Sequence, residues 1–79
     1  MATAVTVPRL GDEMQSAILI RFLVGVGEAV RRGDPLYELD TDKVTQEVEA
    51  EAAGVLLRIA VQEGEVEVGR TIAFIGEQG

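Results

Sequence analysis

Lysine occurs once in this 79-residue chain, at position 43, and every other basic side chain is arginine. It stands in Tyr37-Glu38-Leu39-Asp40-Thr41-Asp42-Lys43-Val44, behind two aspartates and between two β-like runs. A primary amine at the tip of a tight turn is held out in solvent. There a modifying enzyme can reach it, and an amide bond lets it carry a prosthetic group. Taken alone, the residue also fits a solubilising turn lysine. Other groups with chemistry are scarce. The chain has no cysteine and no histidine, which removes thiol nucleophiles, thiolate zinc sites, Ser-His-Asp triads and imidazole acid–base catalysis together. Asp40-Thr41-Asp42 opens like a calcium loop, but Val44 and Gln46 fill the next ligand and glycine positions. Gly25-Val26-Gly27 lacks the third glycine and the following helix of a dinucleotide site. Glu47, Glu49 and Glu51 read as the solvated face of a strand, with the option of guiding a partner.

The elements that must position Lys43 belong to one small domain. An apolar content of 47% is enough for a core without disulfides or metal. Net charge is −7, from 14 acidic against 7 basic residues, opposite in sign to a surface for nucleic acid or anionic membrane. Partners with basic mouths fit better. The longest apolar run, Ile18 to Val26, is broken by Arg21 and is too short to span a bilayer. Met1-Ala2-Thr3-Ala4-Val5 lacks the charged start and long apolar stretch of a signal peptide.

No segment longer than a few residues reads as helix, and turn signals recur at the short spacing of an all-β sandwich or barrel. Val5-Thr6-Val7 reads as a strand closed by Pro8. Ile18, Ile20, Phe22 and Val24 form an expected inward row, and Leu36 to Asp40 a further strand. After the lysine turn, Val44, Gln46, Val48 and Ala50 alternate with Thr45, Glu47, Glu49 and Glu51, giving an inward and an acidic outward face. Val55, Leu57, Ile59 and Val61 make the next inward row, and Ile72 to Ile75 closes the domain. Phe22, Leu57 and Ile59 read as core. Leu36/Leu39 and Ile72/Ile75 are spaced by three, which predicts a bend or bulge at each. The halves also repeat. Ile20-Arg21-Phe22-Leu23-Val24 matches Leu57-Arg58-Ile59-Ala60-Val61 at a displacement of 37, and Val30, Gly33, Leu36 and Leu39 match Val66, Gly69, Ile72 and Ile75 at 36. Such self-similarity predicts a duplicated unit with pseudo-twofold symmetry. It places the lysine turn and the chain ends at opposite ends of the domain.

From Val7 to Ile75 the chain resembles the lipoyl domains of the dihydrolipoamide acyltransferases of 2-oxo acid dehydrogenase complexes. Val7-Pro8-Arg9-Leu10-Gly11 with Met14 is similar to that family's opening strand and loop. Gly27-Glu28-Ala29-Val30-Arg31-Arg32-Gly33-Asp34-Pro35-Leu36 is similar to its glycine-rich turn region. Leu39-Asp40-Thr41-Asp42-Lys43-Val44, continued by Glu47-Val48-Glu49-Ala50 and Gly54-Val55, resembles its lipoyl-lysine signature. Any one piece is weak; all in order and spacing are specific. Asp40 in place of a common glutamate and Ala17 in place of a frequent glycine are departures that leave the lysine tip untouched.

The resemblance implies a flattened barrel or sandwich of two four-stranded antiparallel sheets, with Lys43 at a hairpin tip. It implies lipoic acid as an amide on Lys43, with Asp40, Thr41, Asp42 and Val44 forming the recognition turn. The loop from Leu10 to Ala17 would pack beside that turn, so that Asp12, Glu13 and Met14 meet partners. Those partners would be a thiamine-dependent 2-oxo acid decarboxylase, an acyltransferase catalytic domain, dihydrolipoamide dehydrogenase and a lipoate ligase. The whole chain, 1–79, would be one such domain, the N-terminal part of a larger acyltransferase with no catalytic site of its own. It would work in the bacterial cytoplasm or, in a eukaryote, the mitochondrial matrix. The nearest alternative is a biotin carboxyl carrier of the same fold. Carriers of that kind commonly flank their lysine with methionine, where this chain has Asp42 and Val44.

Overall fold

A computed structural model describes residues 2–77. Among the described residues there are eight strands and no helix: β1 (Thr3–Thr6), β2 (Ser16–Phe22), β3 (Ala29–Val30), β4 (Pro35–Asp40), β5 (Thr45–Glu49), β6 (Gly54–Ile59), β7 (Gly64–Glu67) and β8 (Thr71–Gly76). They pair into two antiparallel four-stranded sheets, ordered β1-β8-β6-β3 and β5-β4-β2-β7. This is the expected sandwich. Leu19, Leu36, Tyr37, Leu39 and Val66 of one sheet enclose a core with Val30, Leu56, Ile72 and Ile75 of the other. A fully buried side chain of this kind contributes about 1.5–3 kcal/mol.

Two inward rows, on β2 and β6, change face at a bulge. Ile18 and Ile20 are 46% and 39% exposed, whereas Ala17 and Leu19 are buried. Pairing of β2 with β4 shifts between Leu19 and Arg21, so Ile20 is an extra residue. A bulge of this kind reverses the side-chain phase, which returns Phe22 and Val24 to the core. The same event recurs on β6. Leu56 is fully buried, Leu57 is 42% exposed rather than core, and pairing with β8 shifts between Leu56 and Arg58. Unbroken alternation cannot describe a strand whose phase changes halfway.

The bulges expected at Leu36 and Ile72 are present. Pro35 pairs with Glu49 and Tyr37 with Val48, leaving Leu36 over; Val5 pairs with Ala73 and Thr6 with Thr71, leaving Ile72 over. All four bulges therefore obey the internal repeat. Val44 and Gln46, expected inward, are exposed, because β5 is a sheet edge and its start overhangs the core. Only Val48 and Ala50 of that row reach it. The short strands β3 and β7 were not expected from periodicity, being too brief to display any.

Tyr37 is the chain's single tyrosine. It is completely buried, with its ring centroid 5.5 Å from that of Phe22. Its hydroxyl has no hydrogen-bond partner among the described residues. Burial, and secondarily the charge of Glu51, pushes its pKa up to about 12. As pH rises from about 10 toward 12, the unfolded chain loses the phenol proton while the folded chain keeps it. Stability is then lost with rising pH, and below about 10 the group is neutral in both states. We expect Tyr37→Phe to remove an unpaired buried hydroxyl and raise stability by up to about 1–2 kcal/mol. It should also remove the alkaline fall above pH 10. Melting temperatures of both proteins across that range check it; a less stable phenylalanine variant would show that the hydroxyl is satisfied in solution.

Candidate functional site: the lysine hairpin

The ladder between β4 and β5 runs through Leu39–Gln46 and Asp40–Thr45, so four residues, Thr41 to Val44, make the turn. Tight hairpin turns usually require positive φ at a central residue. None of Thr41 to Val44 has positive φ, and the side chain of Thr41 supplies what the backbone does not. The Thr41 N–H donates to the Val44 carbonyl at 2.9 Å. The Thr41 hydroxyl oxygen accepts from the backbone N–H of Lys43 at 3.3 Å and of Val44 at 3.2 Å, and the hydroxyl donates to the Val44 carbonyl at 3.0 Å. Below the turn, Thr45 Oγ1 donates to Asp40 Oδ1 at 3.2 Å. One hydroxyl thus closes the loop, in the manner of a threonine turn.

Asp42, Lys43 and Val44 are all exposed at this tip. Among the described residues the Lys43 amine makes no hydrogen bond or ion pair; the ion pair present is Arg21 Nε with Glu38 Oε1, at 2.6 Å. The amine stands exposed on a hydrogen-bonded turn, open to a group attached to it. The start of β1 and the end of β8 lie at the other end of this hairpin: Thr3 and Ile75 share a cavity of about 220 Å³ with Tyr37, Val48, Glu51 and Ala52.

The rung between Ile18 and Asp40 places the segment preceding β2 on the side of the turn. Within that segment Arg9 Nη1 donates to the Met14 carbonyl at 2.6 Å and the Asp12 carbonyl at 3.4 Å. Met14 N–H donates to the Gly11 carbonyl at 3.1 Å. Leu10 N–H donates to the Met14 sulfur at 3.3 Å, and the Met14 side chain packs on the core. Met14 therefore holds the loop, while Asp12 and Glu13 are its exposed crest. The structure brings Asp40, Thr41, Asp42, Lys43 and Val44 together. Sequence reasoning counted Thr41 in the recognition turn but missed its hydroxyl as the closing group; the clue is a threonine two residues before the tip.

We expect Thr41→Val, which keeps the shape but deletes the three hydroxyl bonds, to cost about 0.5–1.5 kcal/mol. Its larger effect should be a several-fold slower covalent loading of Lys43, restored by Thr41→Ser. Melting curves and loading rates check this pair. A valine variant loaded at the wild-type rate would show that the hydroxyl does not organise the tip.

Residues 3–75 match the model of a family described as biotin-requiring enzyme, a group of biotin- and lipoyl-attachment domains. The chain is 43% identical to the dihydrolipoyllysine-residue succinyltransferase component of the 2-oxoglutarate dehydrogenase complex of Staphylococcus saprophyticus, across 92% of this chain and 18% of that protein. It is 40% identical to the dihydrolipoyllysine-residue acetyltransferase component of the pyruvate dehydrogenase complex of Corynebacterium glutamicum, across 98% of this chain and 12% of that protein. It thus spans less than a fifth of the length of either relative. The solution structure of the lipoyl domain of the 2-oxoglutarate dehydrogenase complex from Azotobacter vinelandii superposes with a TM-score of 0.74 at 31% identity, covering 96% of this chain and 98% of that one.

Proposed function

Because this chain belongs to the biotin- and lipoyl-attachment family, we propose that it is a lipoyl carrier domain loaded on Lys43 and serving a 2-oxo acid dehydrogenase complex. One observation carries this reading: the single lysine of the chain stands unpaired among the described residues at the tip of a hairpin closed by Thr41. Acyltransferase components among the relatives favour lipoyl over biotin.

Amide formation consumes the amine and removes its charge. When bound, the lipoyl group supplies a dithiolane that accepts acyl groups and reducing equivalents. The chain's own residues supply presentation. Thr41 holds the turn, Asp40 and Thr45 lock the rung beneath it, and the ladder to β4 keeps the tip from bending back. A flexible arm on such a base visits several active sites at high effective concentration without release of its cargo. Catalysis resides in the partners: a lipoate ligase that loads the arm, a thiamine-dependent 2-oxo acid decarboxylase, an acyltransferase catalytic domain, and dihydrolipoamide dehydrogenase. Asp12 and Glu13, on the crest beside the turn, contribute to meeting the decarboxylase through its basic surface. The parent chain is then an acyltransferase of which this domain is one part.

The test is label transfer from a carboxyl-adjacent labelled 2-oxo acid, in the presence of its decarboxylase, to domain produced with lipoate. Wild type should become labelled and Lys43→Arg should not. Labelling instead from bicarbonate by a biotin-dependent carboxylase would replace this reading with the biotin one.

A further inference from the structure

The repeat that builds the sandwich also provides an internal control, because the two sheets share one scaffold and differ in charge. On the outer face of the β5-β4-β2-β7 sheet, the rungs set Ile18 between Asp40 and Glu65, Arg21 against Glu38, Glu38 against Glu47, and Ser16 against Glu67. Glu49 follows on β5, opposite Pro35. Six carboxylates thus stand on the face that exposes Ile18 and Ile20, with Asp40 and Glu65 directly flanking Ile18. The one guanidinium among them, that of Arg21, is already bonded to Glu38.

Rung by rung, the other outer face has none of this acidity. Phe74 stands in the place of Glu38, Gly76 in that of Asp40, and Ala4 and Thr6 in those of Glu47 and Glu49. Ala29 replaces Glu65, and Arg31 replaces Glu67 at the displacement of 36. The apolar centre is kept on both faces, since Val55 and Leu57 are the counterparts of Ile18 and Ile20. One sheet of this sandwich therefore forms without such carboxylates. They occur only on the sheet whose hairpin carries Lys43.

We propose that the outer face of the β5-β4-β2-β7 sheet is a docking surface for the enzyme that acylates the arm, with Ile18 and Ile20 entering an apolar recess ringed by basic side chains. The inference rests on the carrier reading and extends it from the tip to the whole sheet. The carrier reading supplies the occupant, and the acidic face requires that its surface be basic. A second copy of the domain would set like charges face to face, and an anionic lipid or nucleic-acid surface would be repelled. β7 lies two strand spacings from β4 and three from β5, about 10 and 14 Å, so Glu65 and Glu67 probe the face on the side away from the lysine hairpin. A partner seated across four strands is also oriented, which leaves the arm as the sole moving part.

The experiment uses Glu65→Gln/Glu67→Gln, Ile18→Thr/Ile20→Thr and, as a control of equal charge change elsewhere, Glu63→Gln/Glu77→Gln. A thiamine-dependent decarboxylase is chosen from pyruvate- and 2-oxoglutarate-specific enzymes because it acylates the lipoylated wild-type domain. Amide shifts of the unloaded domain are recorded on adding that enzyme, and kcat/KM for acylation is measured across ionic strength. Shifts should cover β2 and β7 as well as the turn. Both face variants should lose about tenfold in kcat/KM, with a shallower salt slope for the glutamine pair, while the control and the rate of lipoylation stay unchanged. Shifts confined to residues near the turn, or face variants acylated like the control, would overturn the docking surface and leave the carrier reading standing. Absence of lipoate from the wild-type domain would overturn both.

Discussion

Exchanging Asp42 and Lys43, so that the only amine moves one residue along the turn, will reduce lipoylation roughly a hundredfold, equivalent to about 2.8 kcal/mol of lost recognition. Composition and net charge are unchanged by the exchange. What changes is direction. The Lys43 N–H is bonded to the Thr41 hydroxyl at 3.3 Å and the Val44 N–H to the same oxygen at 3.2 Å, so each Cα–Cβ vector of the tip has its own orientation. In extended chain a one-residue shift carries a side chain to the opposite face. The ligase must bring a carboxyl group to one place, and an amine aimed elsewhere is not a substrate. The melting temperature should hardly move, because positions 42 and 43 are both exposed. Loading is read by intact mass after incubation with lipoate–protein ligase. A swapped domain loaded at the wild-type rate would mean that the enzyme follows a flexible lysine and not a presented one.

The largest loss of stability is expected at Gly54, where β6 begins beside the end of β8. Its φ of 153° lies where only glycine sits comfortably, and a Cβ there would meet the Gly76 carbonyl oxygen at 2.5 Å and Ile75 Cγ2 at 3.1 Å. The oxygen belongs to backbone held in the β6–β8 ladder, with Val55 opposite Gly76, so it cannot swing aside as a side chain would. Gly54→Ala should cost about 3 kcal/mol or more. At roughly 0.05–0.15 kcal/mol per residue a domain of this size has about 4–12 kcal/mol in all. The melting temperature should fall by roughly 12–24 °C. Gly11, with nothing within 4 Å of an added Cβ, is the control, and Gly11→Ala should be nearly neutral. Equal melting temperatures for the two variants would show that β8 yields at Gly76.

What could be read from residues alone was whatever depends on local pattern. The lone lysine between two strands, the glycine and proline punctuation, and the duplication with its spacing-of-three bulges at Leu36 and Ile72 all carry their signal within a few positions. The phase of β2 and β6 did not. Ile20 and Leu57 look like members of an inward row, yet each is the extra residue of a bulge, and only cross-strand pairing reveals that the row changes sides. The acidic outer sheet was likewise seen one strand deep, as Glu47, Glu49 and Glu51. Joining Glu47 and Glu49 to Glu38, Asp40, Glu65 and Glu67 takes the strand order β5-β4-β2-β7, which no local pattern contains. The hydroxyl of Thr41 was overlooked because a threonine in a turn has many roles, and its bonds decide among them. Tyr37 looked like an ordinary strand residue; its unpaired hydroxyl is a property of the packed interior.

The central claim, that Lys43 carries the lipoyl arm, is tested most directly by intact mass and peptide mapping of the domain produced with a lipoate–protein ligase and lipoate, with a biotin ligase and biotin in a parallel sample. The account predicts a single lipoyl adduct on the peptide containing Lys43. It also predicts no adduct on a Lys43→Arg domain of unchanged melting temperature, and no biotin in the parallel sample. An unmodified wild-type domain, lipoate on the arginine variant, or biotin in place of lipoate would contradict it.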